Sequence, residues 1–398
     1  MKIHSRQVVL SAAGLVAVAA IIGLPAVSAK EHQEAPTGQT LFTENFKGAG
    51  TTLDLWRSQS PRGGVGPCLT AATSPPAGSL PACPTARHDR PGRGAVQLTD
   101  NSRDVSGVLL LDRPIPTSAG LRISFDMFQY GRNTTLGADG MALFVVGGKQ
   151  RRVVSGKPGG SLGYRGMKGG ILGVGLDAFG GFSRPTSDGP DGPGRRRNSV
   201  VVRGAEVNGN RYLGGVRAPV PLSVATTNRS KARRTVVVEL SPTGLLAVRV
   251  DFHDGKGSRT LLADADLNVL PGQPVLPPTV KLGFAAATGG QTDVHALSDL
   301  RVATLPPDLF TTVTPPPGPL KAGGSAVFTV RVGDRSNAGP ASAPVSSTTE
   351  IPSPLRVVSA TGPGWRCRTT GQRVACARQG RPLRPGRTHP PIPIRVSV

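Results

Sequence analysis

Short apolar runs separated by glycine and proline set the rhythm of this chain. Runs at 107–111 (GVLLL), 121–128 (LRISFDMF), 141–146 (MALFVV), 171–176 (ILGVGL), 199–203 (SVVVR), 235–240 (TVVVEL), 245–251 (LLAVRVD), 280–287 (VKLGFAAA) and 297–303 (ALSDLRV) each have the length of a strand. Several alternate apolar with polar. In LRISFDMF the alternation puts Leu121, Ile123, Phe125 and Met127 on one face. Ser-Pro-Thr-Gly at 241–244 and His-Asp-Gly at 253–255 read as hairpin turns. No stretch after the first 29 residues shows a convincing amphipathic helical period. Many short strands with Gly/Pro turns predict an all-β sandwich.

The pattern also divides the chain. Residues 1–29 read as a signal peptide: Lys2 and Arg6, an apolar core from Val8 to Leu24, Pro25, and a small-residue cleavage site at Val27-Ser28-Ala29. Residues 30–40 read as a linker and 41–305 as the main sandwich. Residues 306–319, within LPPDLFTTVTPPPGP, read as a Pro-rich linker. Residues 320–398 read as a small second β-sandwich with strands at 325–332 and 392–397. Its last residues look like a final strand, which ends the unit or leads into further copies.

Composition adds a compartment and a charge. Export is consistent with the four cysteines, whose spacing makes Cys68–Cys83 and Cys367–Cys376 the simplest pairing of three. Neither pair has zinc-type spacing with a nearby His. The formal charge is +23 across 398 residues, much of it arginine. Such a surface attracts anionic polymers, including cell-wall polymers. An Ala-, Gly-, Pro- and Arg-rich composition also arises from coding bias alone. Nucleic acid is not an expected partner: aromatics are 4% and no recognition module is present.

Three catalytic patterns fail on context. Gly159-Gly160-Ser161-Leu162-Gly163 matches the nucleophile elbow, but GYRGMKGG cannot supply the helix that must follow. Gly173-x-Gly175-x-x-Ala178 mimics a dinucleotide fingerprint without a helix to receive phosphate. A sandwich glycosidase needs two carboxylates flanking the bond, and the strand ILGVGLD offers only Asp177. His253 and His295 read as structural. The chain is therefore expected not to be an enzyme.

Four stretches, in order, carry a resemblance. They are Ala138-Asp139-Gly140 with MALFVV, Gly159-Gly160-Ser161-Leu162-Gly163, ILGVGLDAFG, and GFAAATGGQTDVHALSDL at 283–300. Together they make residues 41–305 resemble an L-type, legume-lectin-like domain in its bacterial form, a concanavalin-like jelly roll. The C-terminal unit resembles the Trp-Cys…Cys Ig-like sandwich modules of exported bacterial proteins. The resemblance implies a secreted or cell-surface protein that binds carbohydrate at a shallow site. Asp139 would accept hydrogen bonds from sugar hydroxyls, aimed by a cis Ala138–Asp139 peptide. Gly140 would keep the approach open, Gly160 would donate its N–H, Phe179 would offer an apolar face, and Gly290 and Gln291 would tune sugar choice.

The family also places calcium and a transition metal beside these loops. Here Gly175 stands where the family has Glu and Gly181 where it has Asn, and no His follows, so the transition-metal site is expected to be lost. The resemblance leaves a calcium set of Asp177, the Phe179 carbonyl, and Asp188 or Asp191. The competing expectation is a structural or adhesive module held to anionic wall polymer by its basic surface.

Overall fold

The computed structural model describes residues 38–60, 66–73, 80–85, 87–131, 137–151, 153–341 and 344–398. The expected signal peptide lies outside the described residues, as does most of the expected N-terminal linker. The chain divides into two compact units, one spanning Thr40–Thr304 and one containing Leu305–Val398. The described residues contain no α-helix and only short 3-10 turns. No helix among them is long and apolar enough to cross a membrane.

The larger unit is a jelly-roll sandwich of two sheets. One runs Ser258–Asp266, Leu245–Asp251, Arg233–Leu240, Leu121–Gly131, Val294–Ala303, Val96–Thr99 and Cys68–Leu69, with Thr40–Glu44 added to Val294–Ala303. The other runs Tyr212–Arg217, Ser199–Arg203, Gly170–Asp177, Gly140–Gly147, Thr279–Ala287, Ser106–Leu111 and Trp56–Gln59. The core forms between them. Leu121, Ile123, Phe125 and Met127 all enter it, as their alternation predicts, and meet Leu143, Leu172, Val174 and Phe284 of the facing sheet. Phe125 and Phe284 pack edge to face with ring centroids 4.9 Å apart.

The middle strands of the second sheet are buried on both faces, so they do not alternate. Gly170–Asp177 is buried at every position. Its inner face carries Leu172, Val174 and Leu176. On its outer face, Val153, Leu162, Tyr164, Met167 and Phe182 form a second core with Phe144 and Val201. That layer requires glycine beneath it. A Cβ at Gly173 would lie 2.3 Å from the Tyr164 ring, and one at Gly175 would lie 2.3 Å from the Phe182 ring. The fingerprint-like spacing of these glycines thus serves close ring packing.

Both expected hairpin turns are present. In the first, the Gly244 N–H donates to the Ser241 carbonyl at 3.1 Å. Strands with few apolar residues, such as Ser258–Asp266 and Tyr212–Arg217, lie outside the sequence reading.

The smaller unit has a four-stranded and a three-stranded sheet. The stretch read as a Pro-rich linker contains the strand Leu309–Thr314, paired with Ser325–Asp334, so 306–319 is not simply a connection. Phe328, Val330, Trp365, Val374, Ile392 and Ile394 form its core. Both disulfides join the expected partners, Cys68 to Cys83 and Cys367 to Cys376. The second bridges residues directly opposite each other in a hairpin.

Candidate functional site

The four stretches singled out in the sequence converge at one end of the second sheet. Gly140 pairs with Asp177 on one neighbouring strand and with Ala287 on the other, which brings three of the loops together. The Ala138–Asp139 peptide is cis. The Asp139 N–H donates to the Ala287 carbonyl at 2.8 Å, and the Phe179 N–H donates to the Asp139 carbonyl at 3.0 Å. Gly159 and Gly289 flank the carboxylate: a Cβ on either would lie 3.9 and 3.0 Å, respectively, from Asp139 Oδ2.

Asp139 is buried, and its Oδ2 has no hydrogen-bond partner among the described residues. Burial raises its pKa to about 7; the charge of Arg195 opposes the rise and that of Asp104 adds to it. An unpaired acceptor below the surface costs free energy unless a donor reaches it.

The glycines are fixed by their neighbours. Gly140 has φ +148°, and a Cβ there would meet the Leu176 carbonyl at 2.6 Å, so the adjacent strand requires glycine. Gly160 faces Gly181, and its Cβ would fall 2.9 Å from the Gly181 Cα. Gly290 is exposed with open space around it, and Gln291 is half-buried beside it. Phe179 is half-buried and stays outside the core clusters. The Arg195 guanidinium lies over its ring at 3.7 Å, and Arg195 Nε donates to its carbonyl at 3.0 Å.

The residues of the expected calcium set are engaged with other partners. Both Asp177 oxygens already accept backbone N–H groups, from Gly180 and Phe182, each at 2.7 Å. Burial raises the Asp177 carboxyl to about 7, against those two N–H donors. Asp188 pairs with Lys157 at 2.6 Å. Asp191 accepts from the Tyr212 N–H at 2.8 Å and pairs with Arg203. Among the described residues no group of three or more His, Cys, Asp or Glu could hold a metal. The Phe182 ring fills the space above Gly175, and the Gly160 backbone fills the space a side chain at 181 would need. These residues do not fit calcium, which wants several free oxygen ligands at 2.3–2.6 Å.

Sequence reasoning missed two groups of residues here. Asp293 is buried and accepts from the Ser223 hydroxyl at 2.6 Å and from the Ala138 N–H. It thereby anchors the peptide that carries Asp139. Burial raises its pKa to about 7, and these two donors oppose the rise. The second group is the buried pair Arg165 and Arg203. The available signal was an arginine ending the otherwise apolar strand SVVVR. Of the catalytic look-alikes, Ser161 sits in a three-residue 3-10 turn. His295 is fully buried, bonded to Thr99 Oγ1 at 2.7 Å, and desolvation lowers its pKa to about 3.

No family model matches the sequence, and no curated protein matches it. Among solved structures, the chain is similar to the calcium- and Man3GlcNAc-bound exoplasmic/lumenal domain of VIP36, at 18% identity over 63% of this chain and 84% of that one, with a TM-score of 0.40. It is also similar to basic winged bean lectin with Tn-antigen, at 17% identity over 67% and 99%, TM-score 0.43. A third is the metal-free lectin I-B4 from Griffonia simplicifolia, at 16% identity over 63% and 94%, TM-score 0.39.

Proposed function

We propose that residues 40–304 form a non-catalytic carbohydrate-binding domain of an exported protein, with Asp139 as its principal acceptor. One observation carries the reading: a buried carboxylate oxygen without a donor among the described residues, flanked by two glycines that themselves place no side chain over it. A sugar hydroxyl entering between Gly159 and Gly289 supplies that donor. Gly160, Gly290 and Gln291 line the approach, and Phe179 contributes an apolar edge. Two disulfides support an oxidising compartment.

With few polar contacts, a single site should bind in roughly the mM to tens-of-μM range, and paired presentation would raise avidity. A glycan array probed with the protein at low and at high salt tests the proposal. Saccharide-specific binding that survives high salt supports it. Retention only of anionic polymers, lost as salt screens charge, would replace it with adhesion through the basic surface.

A further inference from the structure

We infer that Arg165 and Arg203 act as built-in cations that hold the loops around Asp139, so that the domain reaches its binding-ready form without a bound metal ion. Both side chains are almost completely buried. Arg165 Nη1 donates to the Arg184 carbonyl at 2.8 Å, and its Nη2 donates to the Gly160 and Gly181 carbonyls at 3.0 and 3.2 Å. Arg203 donates to the Phe182 carbonyl at 2.7 Å, the Asn210 carbonyl at 2.9 Å, and the Asp191 and Arg184 carbonyls at 3.0 and 3.1 Å. The two forks therefore collect six carbonyl oxygens from separate segments and share one of them.

A cation surrounded by carbonyl oxygens is what a metal would provide, and a guanidinium provides it with fixed planar geometry. Nearby carboxylates offset part of this charge. Asp177, Asp188 and Asp191, the acids a metal would require, instead lie near the guanidiniums: Asp191 pairs with Arg203, and the charges of Asp177 and Asp188 act on Arg165. The Phe182 ring lies near both forks, its centroid 5.7 Å from each guanidinium carbon. Burial and the charge of Arg203 lower Arg165 to about 10, which leaves it protonated at neutral pH.

The path to the site is short. Arg165 ties Gly160 to Gly181. The turn from Asp177 to Phe182 is closed by the Asp177 carboxylate, and Phe179 within it bonds the Asp139 carbonyl. From the other side, Asp293 and Ser223 anchor the Ala138 N–H. Protein hydrogen bonds thus hold the Asp139 loop from both sides. Arg165 and Arg203 are positioning residues, and the inference concerns loop order whether or not the ligand is a sugar.

The test uses the full chain purified without added metal. Elemental analysis, thermal unfolding with EDTA and with millimolar calcium, and amide hydrogen exchange are measured on wild type, Arg165→Met and Arg165→Lys. Expected are substoichiometric metal and a wild-type Tm that neither EDTA nor calcium moves. In Arg165→Met, exchange at residues 160–162 and 180–184 rises by about tenfold or more, while Arg233–Asp266 keeps its protection and calcium restores nothing. Arg165→Lys, which keeps the charge without the fork, falls between.

A stoichiometric metal whose removal lowers the Tm would overturn the inference. So would an Arg165→Met chain whose loops stay as protected as wild type. Should Arg165→Met fail to fold, the wild-type metal measurements and Arg165→Lys still decide. Ordered, metal-free loops with no saccharide binding would count against the proposed function and leave this inference standing.

Discussion

Gly160 and Gly181 meet backbone to backbone: a Cβ on Gly181 would lie 2.5 Å from the Gly160 Cα. Position 181 is where the resemblance leads one to expect an asparagine. Packing explains the glycine, since no side chain fits without parting the two loops. Gly181→Asn is expected to cost about 1–3 kcal/mol by overpacking and to weaken saccharide binding with it. Chemical denaturation and a binding titration of the same sample check both effects.

Phe182 seals the outer layer over Gly175 and packs edge to face with Tyr164 at 6.3 Å. Phe182→Ala removes a fully buried ring that lies near two guanidiniums. A loss of about 3–5 kcal/mol is expected, with added calcium failing to recover it. Urea unfolding with and without calcium reads the outcome, and a loss below about 1 kcal/mol would show that the layer is not closed as described.

Burial raises the Asp139 carboxyl from an ordinary 3.8 to about 7. Between about pH 4 and 7 the folded chain thus holds a proton that the unfolded chain has lost. This residue's contribution to stability falls as pH rises through that window and is level above it. Asp139→Asn removes the effect, so its stability relative to wild type should climb from pH 4 to 7 and then plateau. Binding runs the other way. In the proposed function the ionised carboxylate is the acceptor, so wild-type affinity should rise as pH rises through about 7. Paired denaturation and titration series across pH 4–9 test both slopes.

The Cys68–Cys83 bridge spans 15 residues, and the Cys367–Cys376 bridge spans 9 within a hairpin. By loop-closure entropy the first stabilises its unit by about 3 kcal/mol and the second its own unit by somewhat less. Cys68→Ser with Cys83→Ser, and Cys367→Ser with Cys376→Ser, should each lower the unfolding midpoint of the unit that holds the bridge. Calorimetry that resolves the two transitions is the check.

Much of the sandwich was legible because half-buried strands alternate: LRISFDMF predicts the four core residues it supplies. Ser258–Asp266 was not legible, because an edge strand with little core contact carries little apolar signal. Leu309–Thr314 was hidden by its flanking prolines. At the site, the stretches around Asp139, Gly160, Asp177 and Gly290 could be read from their order along the chain. Arg165 and Arg203 could not. Their burial depends on carbonyl groups supplied by segments that only the fold brings together. Asp293 stood unremarked in a quoted stretch, since nothing local shows that its carboxylate reaches Ala138.

The proposed function requires that Asp139 accept a saccharide hydroxyl. Its most direct test is an equilibrium titration of the strongest array ligand against wild type and Asp139→Asn, both shown to be folded. Replacing the acceptor oxygen with an amide that is nearly the same shape should weaken binding by about tenfold or more, the loss of roughly 1.4 kcal/mol. Equal affinity in the two proteins would contradict the account and place any saccharide elsewhere on the molecule.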